Sequence, residues 1–165
     1  MRKINLKGKI INLRLVKEKD ADFILKLRTN KELSKFISPT DINLEEQIKW
    51  LKNYKIRENK KDEFYFIIET KDGTPCGTVR IYNINYKNKE TTWGSFILDK
   101  TRPDGASNEV IELSLKFIFE KLKLKKVYLD VRKENYKAIH IYKKNNFLKI
   151  GEDRKNYYYI KKAIE

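Results

Sequence analysis

The order in which strand and helix patterns follow one another is the feature that most limits how this chain can fold. Ile11, Leu13 and Leu15 alternate within a strand predicted at residues 9–16. The order of the whole chain is β-α-α-β-β-β-α-β-α-β-β, which predicts a mixed α/β (α+β) domain rather than a doubly wound parallel sheet. After the first strand, the predicted segments are helices at 19–28 and 43–54, strands at 63–70, 77–84 and 91–99, a helix at 107–122, a strand at 126–131, a short helix within 134–147, and strands at 147–152 and 156–164.

Two local signals support this segmentation. Asp72-Gly73 lies between two strand patterns and is typical of a hairpin turn. The Asn43 side chain can cap the second helix by accepting a backbone N–H of its first turn. The Glu46 side chain can in turn accept the backbone N–H of Asn43, as in a capping box.

Two helices show apolar faces that predict how they pack. In the helix at 107–122, the residues expected in the core are Val110, Ile111, Ser114, Phe117 and Ile118. In the helix at 43–54, the core stripe is predicted to be Leu44, Ile48 and Leu51, with a more polar flank of Gln47, Trp50 and Tyr54.

Length and composition exclude several classes of protein. The 165 residues, 40% of them hydrophobic, suit a single domain spanning residues 1–165. No apolar run approaches a membrane span and the start lacks a signal-peptide pattern, so we expect a cytoplasmic protein with no membrane partner. Cys76 is the only cysteine and His140 the only histidine, which rules out an intramolecular disulfide and argues against a zinc site. We expect no metal.

The net charge of +15 would attract anions such as nucleotide cofactors, phosphorylated sugars or nucleic acids. The excess of lysine also has a compositional explanation, since a Lys-, Ile- and Asn-rich protein can reflect an A/T-rich genome. The charges are spread along the chain with no basic tail and no RNA-binding aromatic motif, which argues against nucleic acid as the partner.

Two segments carry candidate chemistry. In "FILDKTRPDGASNEV" a strand ends, a loop with Arg102 and Gly105 follows, and a helix begins. A helix N-terminus can receive a phosphate, although loops of this kind are common. In "ENYKAIHIYKKNNF", Tyr142 shares a helix face with Ala138. It is either a half-buried aromatic residue or a proton donor.

Taken together, the two segments resemble the GNAT superfamily of acyl-CoA-dependent N-acetyltransferases. The family's phosphate loop, (Gln/Arg)-x-x-Gly-x-(Gly/Ala), is followed by residues 102–107 except at Ser107. Asn146 replaces a glycine of the family's later signature, and asparagine tolerates the left-handed backbone needed there. The rest of that signature is matched by Asn135, Ala138, Ile139, Tyr142 and Phe147.

The resemblance implies a GNAT fold, with a mixed, mostly antiparallel sheet that splays between its fourth and fifth predicted strands, "TTWGSFILD" and "KVYLDV". Acetyl-CoA would lie in the gap as co-substrate. Tyr142 would protonate the departing CoA thiolate as general acid. The residues implied to bind the cofactor are Phe96, Ile97 and Leu98 along the pantetheine arm, Arg102, Gly105, Ala106, Ser107 and Asn108 at the pyrophosphate, and Asn135, Ala138 and Tyr142 on the later helix.

The general base is less well indicated. Many members of the superfamily carry a carboxylate on the fourth strand, where this chain has Thr91, Thr92 and Trp93. Glu90, just upstream, is the candidate base. Asp130 lies within a strand and is interpreted as structural or as a partner for a nearby base.

The N-terminal third resembles amino-sugar N-acetyltransferases of the pseudaminic-acid pathway type at Arg28, Phe36, Glu46, Gln47 and Trp50. Arg28 would pair with a nucleotide diphosphate, and a tryptophan would stack on a base or sugar. Core packing is the alternative for these aromatic residues. The predicted substrate-binding set is Arg28, Gln47, Trp50, Tyr82, Trp93 and Ser95.

The resemblance therefore predicts direct transfer of acetyl from acetyl-CoA to the amine of a nucleotide-linked amino sugar. The sequence leaves the oligomeric state open, with a homodimer as one alternative. One alternative is a ribosomal-protein or other peptide N-terminal acetyltransferase. Another is a non-catalytic CoA-binding or nucleic-acid-associated module.

Overall fold

A mixed sheet of eight strands organises the part of the chain that the structure, a computed structural model, describes: residues 4–37 and 42–164. The spatial order is β1-β2-β3-β4-β5-β6-β8-β7, and only β5 and β6 run parallel within it. The predicted fold class is confirmed, with one added three-residue strand, β1, that is too short to show alternation. The strands are β1 (Asn5–Lys7), β2 (Ile11–Leu15), β3 (Phe64–Thr70), β4 (Pro75–Asn85), β5 (Glu90–Leu98), β6 (Lys126–Arg132), β7 (Leu148–Glu152) and β8 (Asn156–Lys162).

The helices cover both faces of the sheet. A 3-10 turn at Glu18–Asp20 precedes α1 (Ala21–Thr29), and α2 (Leu44–Asn59) follows it. On the other face lie α3 (Ala106–Lys116), which continues as a π-helical segment at Phe117–Lys121, and α4 (Tyr136–Lys144).

Strand alternation divides the core into two parts. On β3, Tyr65 and Ile67 pack with α1 and α2, whereas Phe66 belongs to the larger cluster beneath α3 and α4. On β4 and β6, Val79 and Leu129 also face the larger cluster. Because neighbouring strand residues point to opposite faces, the residues that alternate with these project toward the α1–α2 side.

The buried face of α2 differs from the sequence prediction. Leu44 is 42% exposed, while the buried residues are Gln47, Leu51, Tyr54 and Glu58. The Tyr54 hydroxyl donates to Glu58 Oε1 at 2.7 Å and accepts the backbone N–H of Tyr65 at 2.8 Å. Because these polar groups satisfy one another, the stripe that looked polar in the sequence can face the core.

The buried face of α3 agrees with the prediction, since Val110, Ile111 and Ser114 are all at most 1% exposed. Glu109 fixes the first turns of this helix against the sheet. Its Oε1 accepts the backbone N–H groups of Ile10 and Ile11 at 2.8 and 2.9 Å.

A partly buried ion cluster attaches the start of α1 to the sheet. The Arg14 guanidinium donates two hydrogen bonds to Asp20, at 2.8 and 2.9 Å, and a third to Glu69 at 2.8 Å. Burial opposes ionisation of Asp20, but the bonds from Arg14 and from the Lys17 backbone outweigh it and lower the pKa of this carboxyl.

The pairing between β5 and β6 is confined to one end of the two strands. Only Glu90↔Lys126, Thr91↔Val127 and Thr92↔Tyr128 are in register. Because β5 has nine residues and β6 has seven, most of each strand lies beyond these three pairs, and there the two strands diverge. This confirms the splay expected between "TTWGSFILD" and "KVYLDV".

Candidate active site

A cavity of about 520 Å³ opens beside the splay. Residues of α1, β4, β5, β6, α4 and β8 line it, together with the segment that follows α1. The cavity therefore brings together seven of the predicted site residues: Arg28, Tyr82, Trp93, Ser95, Phe96, Asn135 and Tyr142.

A bulge in β5 shapes the wall of the cavity. Thr78 pairs with Ile97 and Arg80 with Gly94, so β5 has one residue more than β4 over this stretch. Ser95, within the bulge, has a φ of +49°, and its carbonyl accepts the Thr78 hydroxyl at 3.3 Å. Bulges bend a strand and redirect its groups, often beside active sites.

The end of α4 holds Tyr142 in place. Asn146 is left-handed, with a φ of +64°, as its replacement of glycine predicts. The Asn146 N–H donates to the carbonyl of Lys143, and the Phe147 N–H donates to that of Tyr142, both at 3.0 Å. This is a Schellman ending, in which the residue after the left-handed position packs on the last turn.

The environment of Tyr142 favours its protonated form. The residue is 7% exposed, and its ring meets that of Trp93 edge-on with centroids 5.8 Å apart. Burial first, and then the negative charge of Asp130, raise the pKa of Tyr142 well above its usual value of 10.0. The hydroxyl therefore keeps its proton at neutral pH and can donate it.

Asn135 and Ala138 begin the same helix. The Asn135 side chain caps α4 by accepting the backbone N–H of Ala138 at 3.3 Å, and it also lines the cavity. Ala138 is half-buried against the larger core cluster. The predicted cofactor-binding role of both residues stays a prediction, whereas the capping role of Asn135 is visible directly.

The predicted phosphate loop lies at the start of α3. Gly105 has a φ of +83° and precedes the first helical residue, Ala106. Ser107 and Asn108 lie in the first turn, and Asn108 accepts a hydrogen bond from Asn145 at 3.1 Å, which links α3 to the end of α4. Arg102 is exposed on the loop before the helix.

These features fit an extended thioester cofactor. Ile97 and Leu98 pair with β4 on one side, and their other side faces the splay, where backbone groups can pair with an added chain. The first turn of α3 presents backbone N–H groups suited to a pyrophosphate. The Trp93 Nε1 atom is buried and has no partner among the described residues, so its N–H can donate into the cavity.

Two of the predicted substrate-binding residues and the candidate base do not line the cavity. Gln47 is buried in α2, and Trp50 packs against Tyr54 with the guanidinium groups of Arg57 and Arg80 at 5.1 and 5.3 Å from its ring. Glu90 begins β5 and pairs with Lys126, about 16 Å along the strand from Ser95.

Three charged residues in the cavity were not assigned to the site from the sequence. Arg80 donates to Glu63 at 2.8 Å and stacks 4.4 Å from the Tyr82 ring. Asp130 and Arg132 lie two residues apart on β6 and line the cavity from one face. Charged residues at alternating positions of otherwise apolar strands were the available signal, but it does not say which face holds a site.

The described residues contain no group of three or more His, Cys, Asp or Glu side chains that could hold a metal ion. Within residues 4–37 and 42–164, no helix is both long enough and apolar enough to cross a membrane.

Comparisons with known proteins agree with this geometry. Residues 11–148 match the family "Acetyltransferase (GNAT) domain". The structure of apo FdhC, a nucleotide-linked sugar GNAT, superposes with a TM-score of 0.90 at 38% identity, covering 98% of this chain and 91% of that one.

Two curated relatives extend the comparison. Acetyltransferase PseH of Campylobacter jejuni is 28% identical over 92% of this chain and 91% of its own length. Spermidine N(1)-acetyltransferase of Vibrio cholerae is 27% identical over 86% of this chain and 80% of its own. The splayed sheet, the cavity beside it and the match over most of the chain place this protein in the GNAT family, as an acetyl-CoA-dependent N-acetyltransferase.

Proposed function

We propose that the protein transfers the acetyl group of acetyl-CoA to the amine of a nucleotide-linked amino sugar, with Tyr142 as general acid. The observation that carries the choice of acceptor is the charge of the cavity. Arg28, Arg80 and Arg132 line it, and among the described lining residues the one carboxylate is that of Asp130.

This excess of positive charge suits an anionic acceptor. A sugar nucleotide carries a diphosphate, and guanidinium groups bind phosphate oxygens through paired, charge-assisted hydrogen bonds. Glu63 neutralises part of the charge, since it accepts from both Arg57 and Arg80. A polyamine would instead place several positive charges beside the arginines, which is unfavourable at short range.

The size and lining of the cavity also suit this acceptor. About 520 Å³ lies within the usual range for small-molecule sites. Aromatic side chains able to stack on a base or sugar ring line the cavity: Phe36, Tyr82, Trp93 and Phe96. The similarity to FdhC and PseH over nearly the whole chain supports the same choice.

The chain's own residues supply a simple course for the reaction. Acetyl-CoA provides the acetyl group as an activated thioester. A backbone N–H in the Ser95 bulge stabilises the oxygen that becomes negative as the amine attacks. Tyr142, held at the end of α4, donates its proton to the departing sulfur.

The test is a thiol-release assay with acetyl-CoA and three kinds of acceptor at equal concentration. These are UDP- and dTDP-linked 4-amino sugars, spermidine, and peptides with free N-termini. We expect turnover with at least one sugar nucleotide at a kcat/KM at least about 10²-fold above that for spermidine or peptides. Turnover of spermidine or peptides without turnover of any sugar nucleotide would overturn the proposal.

A further inference from the structure

Arg80 lines the cavity from β4, and three side chains fix the position of its guanidinium group. Both of its neighbours on the strand are core residues of the larger cluster, so its own side chain projects to the α1–α2 face. Its Nε atom donates to Glu63 Oε2 at 2.8 Å. The guanidinium lies 4.4 Å from the ring centroid of Tyr82 and 5.3 Å from that of Trp50, within the range of cation–π contacts.

Glu63 is a buried carboxylate that the reaction described above leaves without a role. It lies just before β3 and is 5% exposed. Each of its oxygens serves a different arginine, since Oε1 accepts a hydrogen bond from Arg57 Nε at 3.0 Å and Oε2 accepts the one from Arg80. The Arg57 guanidinium also lies 5.1 Å from the Trp50 ring. Glu63 and Trp50 therefore attach Arg80 to α2 and to the start of β3 before any ligand binds.

The bond to Glu63 uses the Nε atom and leaves the two terminal nitrogens of Arg80 for a ligand. Within residues 4–37 and 42–164, it is the hydrogen bond that this guanidinium makes. The terminal N–H groups of arginine form a planar fork that matches two phosphate oxygens. Because the side chain is already fixed, less conformational entropy is lost when the fork binds an anion.

A carboxylate beside an anion site has two opposite effects. At a distance, its negative charge repels the anion. At contact, it orients the arginine that binds the anion. The charge of Glu63 is compensated by two bonded guanidinium groups, those of Arg57 and Arg80, so the group of three still carries a net positive charge. We therefore expect the orienting effect to be the larger one.

We infer that Glu63 and Trp50 are positioning residues, which orient Arg80 so that its two terminal nitrogens bind the diphosphate of the acceptor. This inference rests on the proposed function. It also changes the role of Trp50. The sequence predicted that this ring binds the substrate directly, whereas it packs outside the cavity and contacts the lining residue Arg80.

The experiment measures the Kd of UDP and of dTDP by calorimetry, with saturating CoA present to fill the cofactor cleft. Arg80→Ala should raise the Kd of both nucleotides about tenfold or more, the loss expected for charge-assisted hydrogen bonds. Glu63→Gln should raise it about fivefold, because one amide oxygen has to serve two arginines. If Glu63 acted through its charge alone, its removal would lower the Kd of an anion instead.

Arg80→Lys separates orientation from charge. Lysine keeps the positive charge but has a single side-chain nitrogen, which the Glu63 carboxylate would bind. We therefore expect Arg80→Lys to lose as much nucleotide affinity as Arg80→Ala. A lysine variant with the Kd of the wild type would overturn the inference, since charge alone would then be enough at this position.

A double-mutant cycle shows whether the two positioning residues act through Arg80. Trp50→Leu in the wild-type background should raise the Kd about threefold, as expected for loss of one cation–π contact. In the Arg80→Ala background, both Trp50→Leu and Glu63→Gln should change the Kd by less than about twofold.

Asp62→Asn is the matched control, because it removes one negative charge from the exposed residue next to Glu63. It should leave the Kd of both nucleotides at the wild-type value. The Tm and the CoA Kd of each variant, measured in parallel, show whether the fold and the cofactor cleft are intact.

The outcomes distinguish this inference from the proposed function. A Kd for Glu63→Gln that equals or falls below that of the wild type overturns the positioning role, and so does an equal loss in the Arg80→Ala background. A wild-type CoA complex that binds neither UDP nor dTDP also overturns it, whichever amine the enzyme acetylates. A wild type that acetylates only spermidine or peptides overturns the proposed function, and the nucleotide Kd values then still test Glu63 and Arg80.

Discussion

The carbonyl of Tyr142 accepts the backbone N–H of Phe147 at 3.0 Å, and the rings of the two residues lie 5.9 Å apart. The position of the proposed acid is therefore set by the end of its own helix and by the ring of Phe147, two residues after the C-cap residue Asn145. Because these contacts are made within the chain, Tyr142 is already oriented before any substrate binds.

The left-handed residue in this ending gives the first prediction. Asn146→Gly should leave the free energy of unfolding unchanged or raise it by up to about 1 kcal/mol, since glycine suits a φ of +64°. Asn146→Val should lower it by about 1–2 kcal/mol, because a branched side chain is strained there. Urea unfolding measures both.

Lys144→Val is the matched control, since Lys144 is exposed in the last turn of the same helix. Lys144→Val should lower the free energy of unfolding by only about 0.5 kcal/mol, which is the difference in helix propensity. Equal costs for valine at the two positions would contradict the account of the helix ending.

The ion cluster at the start of α1 gives a pH prediction. Arg14→Met should lower the free energy of unfolding by about 2 kcal/mol at neutral pH, because it leaves Asp20 and Glu69 without their partly buried partner. Asp20 has a folded-state pKa below its usual 3.8, so its stabilisation is complete above that value and is lost as the pH falls through the lowered pKa.

The difference between wild type and Arg14→Met should therefore be constant above about pH 5 and shrink as the pH falls below 3.8. Unfolding curves at a series of pH values measure it. A difference that grows on acidification would show that another interaction accounts for the loss.

The cavity arginine on β6 gives a prediction about binding. Arg132→Ala should raise KM for the sugar nucleotide about tenfold, the loss expected for one charge-assisted contact to a phosphate. The Kd of acetyl-CoA should not change, because Arg132 projects from the face of β6 opposite the core residue Val131, whereas the predicted phosphate loop lies on the α3 side. Arg154→Ala removes an exposed arginine in the β7–β8 turn and serves as the control for net charge.

The dependence of KM on ionic strength provides a second test of Arg132. The KM of the wild type should rise with ionic strength more steeply than that of Arg132→Ala, since part of the electrostatic attraction is already lost in the variant. Identical KM values for the two arginine variants would mean that Arg132 does not contact the acceptor.

Several features were predictable because local chemistry determines them. Asp72-Gly73 forms the expected hairpin, with a φ of +89° at the glycine. Asn43 caps α2 by accepting the Glu46 N–H at 2.8 Å. The left-handed Asn146 follows from a residue type that tolerates this conformation. Each of these depends on contacts only a few residues apart in the chain.

Other features depend on contacts that no local pattern encodes. The α2 face was predicted in part: Leu51 and Ile48 pack in the core as expected, but Leu44 is exposed. The burial of Tyr54 was missed because its hydroxyl is satisfied by Glu58 and by Tyr65 on β3. Asp130 and Arg132 could be placed on one strand face, but which face carries the cavity depends on how α1 packs across the sheet. The splay was expected from the family resemblance rather than from the residues themselves.

We propose above that the Tyr142 hydroxyl protonates the sulfur that leaves across the splay. The most direct test of this step is the kcat of Tyr142→Phe with saturating acetyl-CoA and acceptor, alongside the Kd of acetyl-CoA. Tyr136→Phe is the control, since Tyr136 lies on the same helix and is 77% exposed. We predict that Tyr142→Phe lowers kcat about 10²-fold with an unchanged Kd. A kcat equal to that of Tyr136→Phe and the wild type would contradict the account.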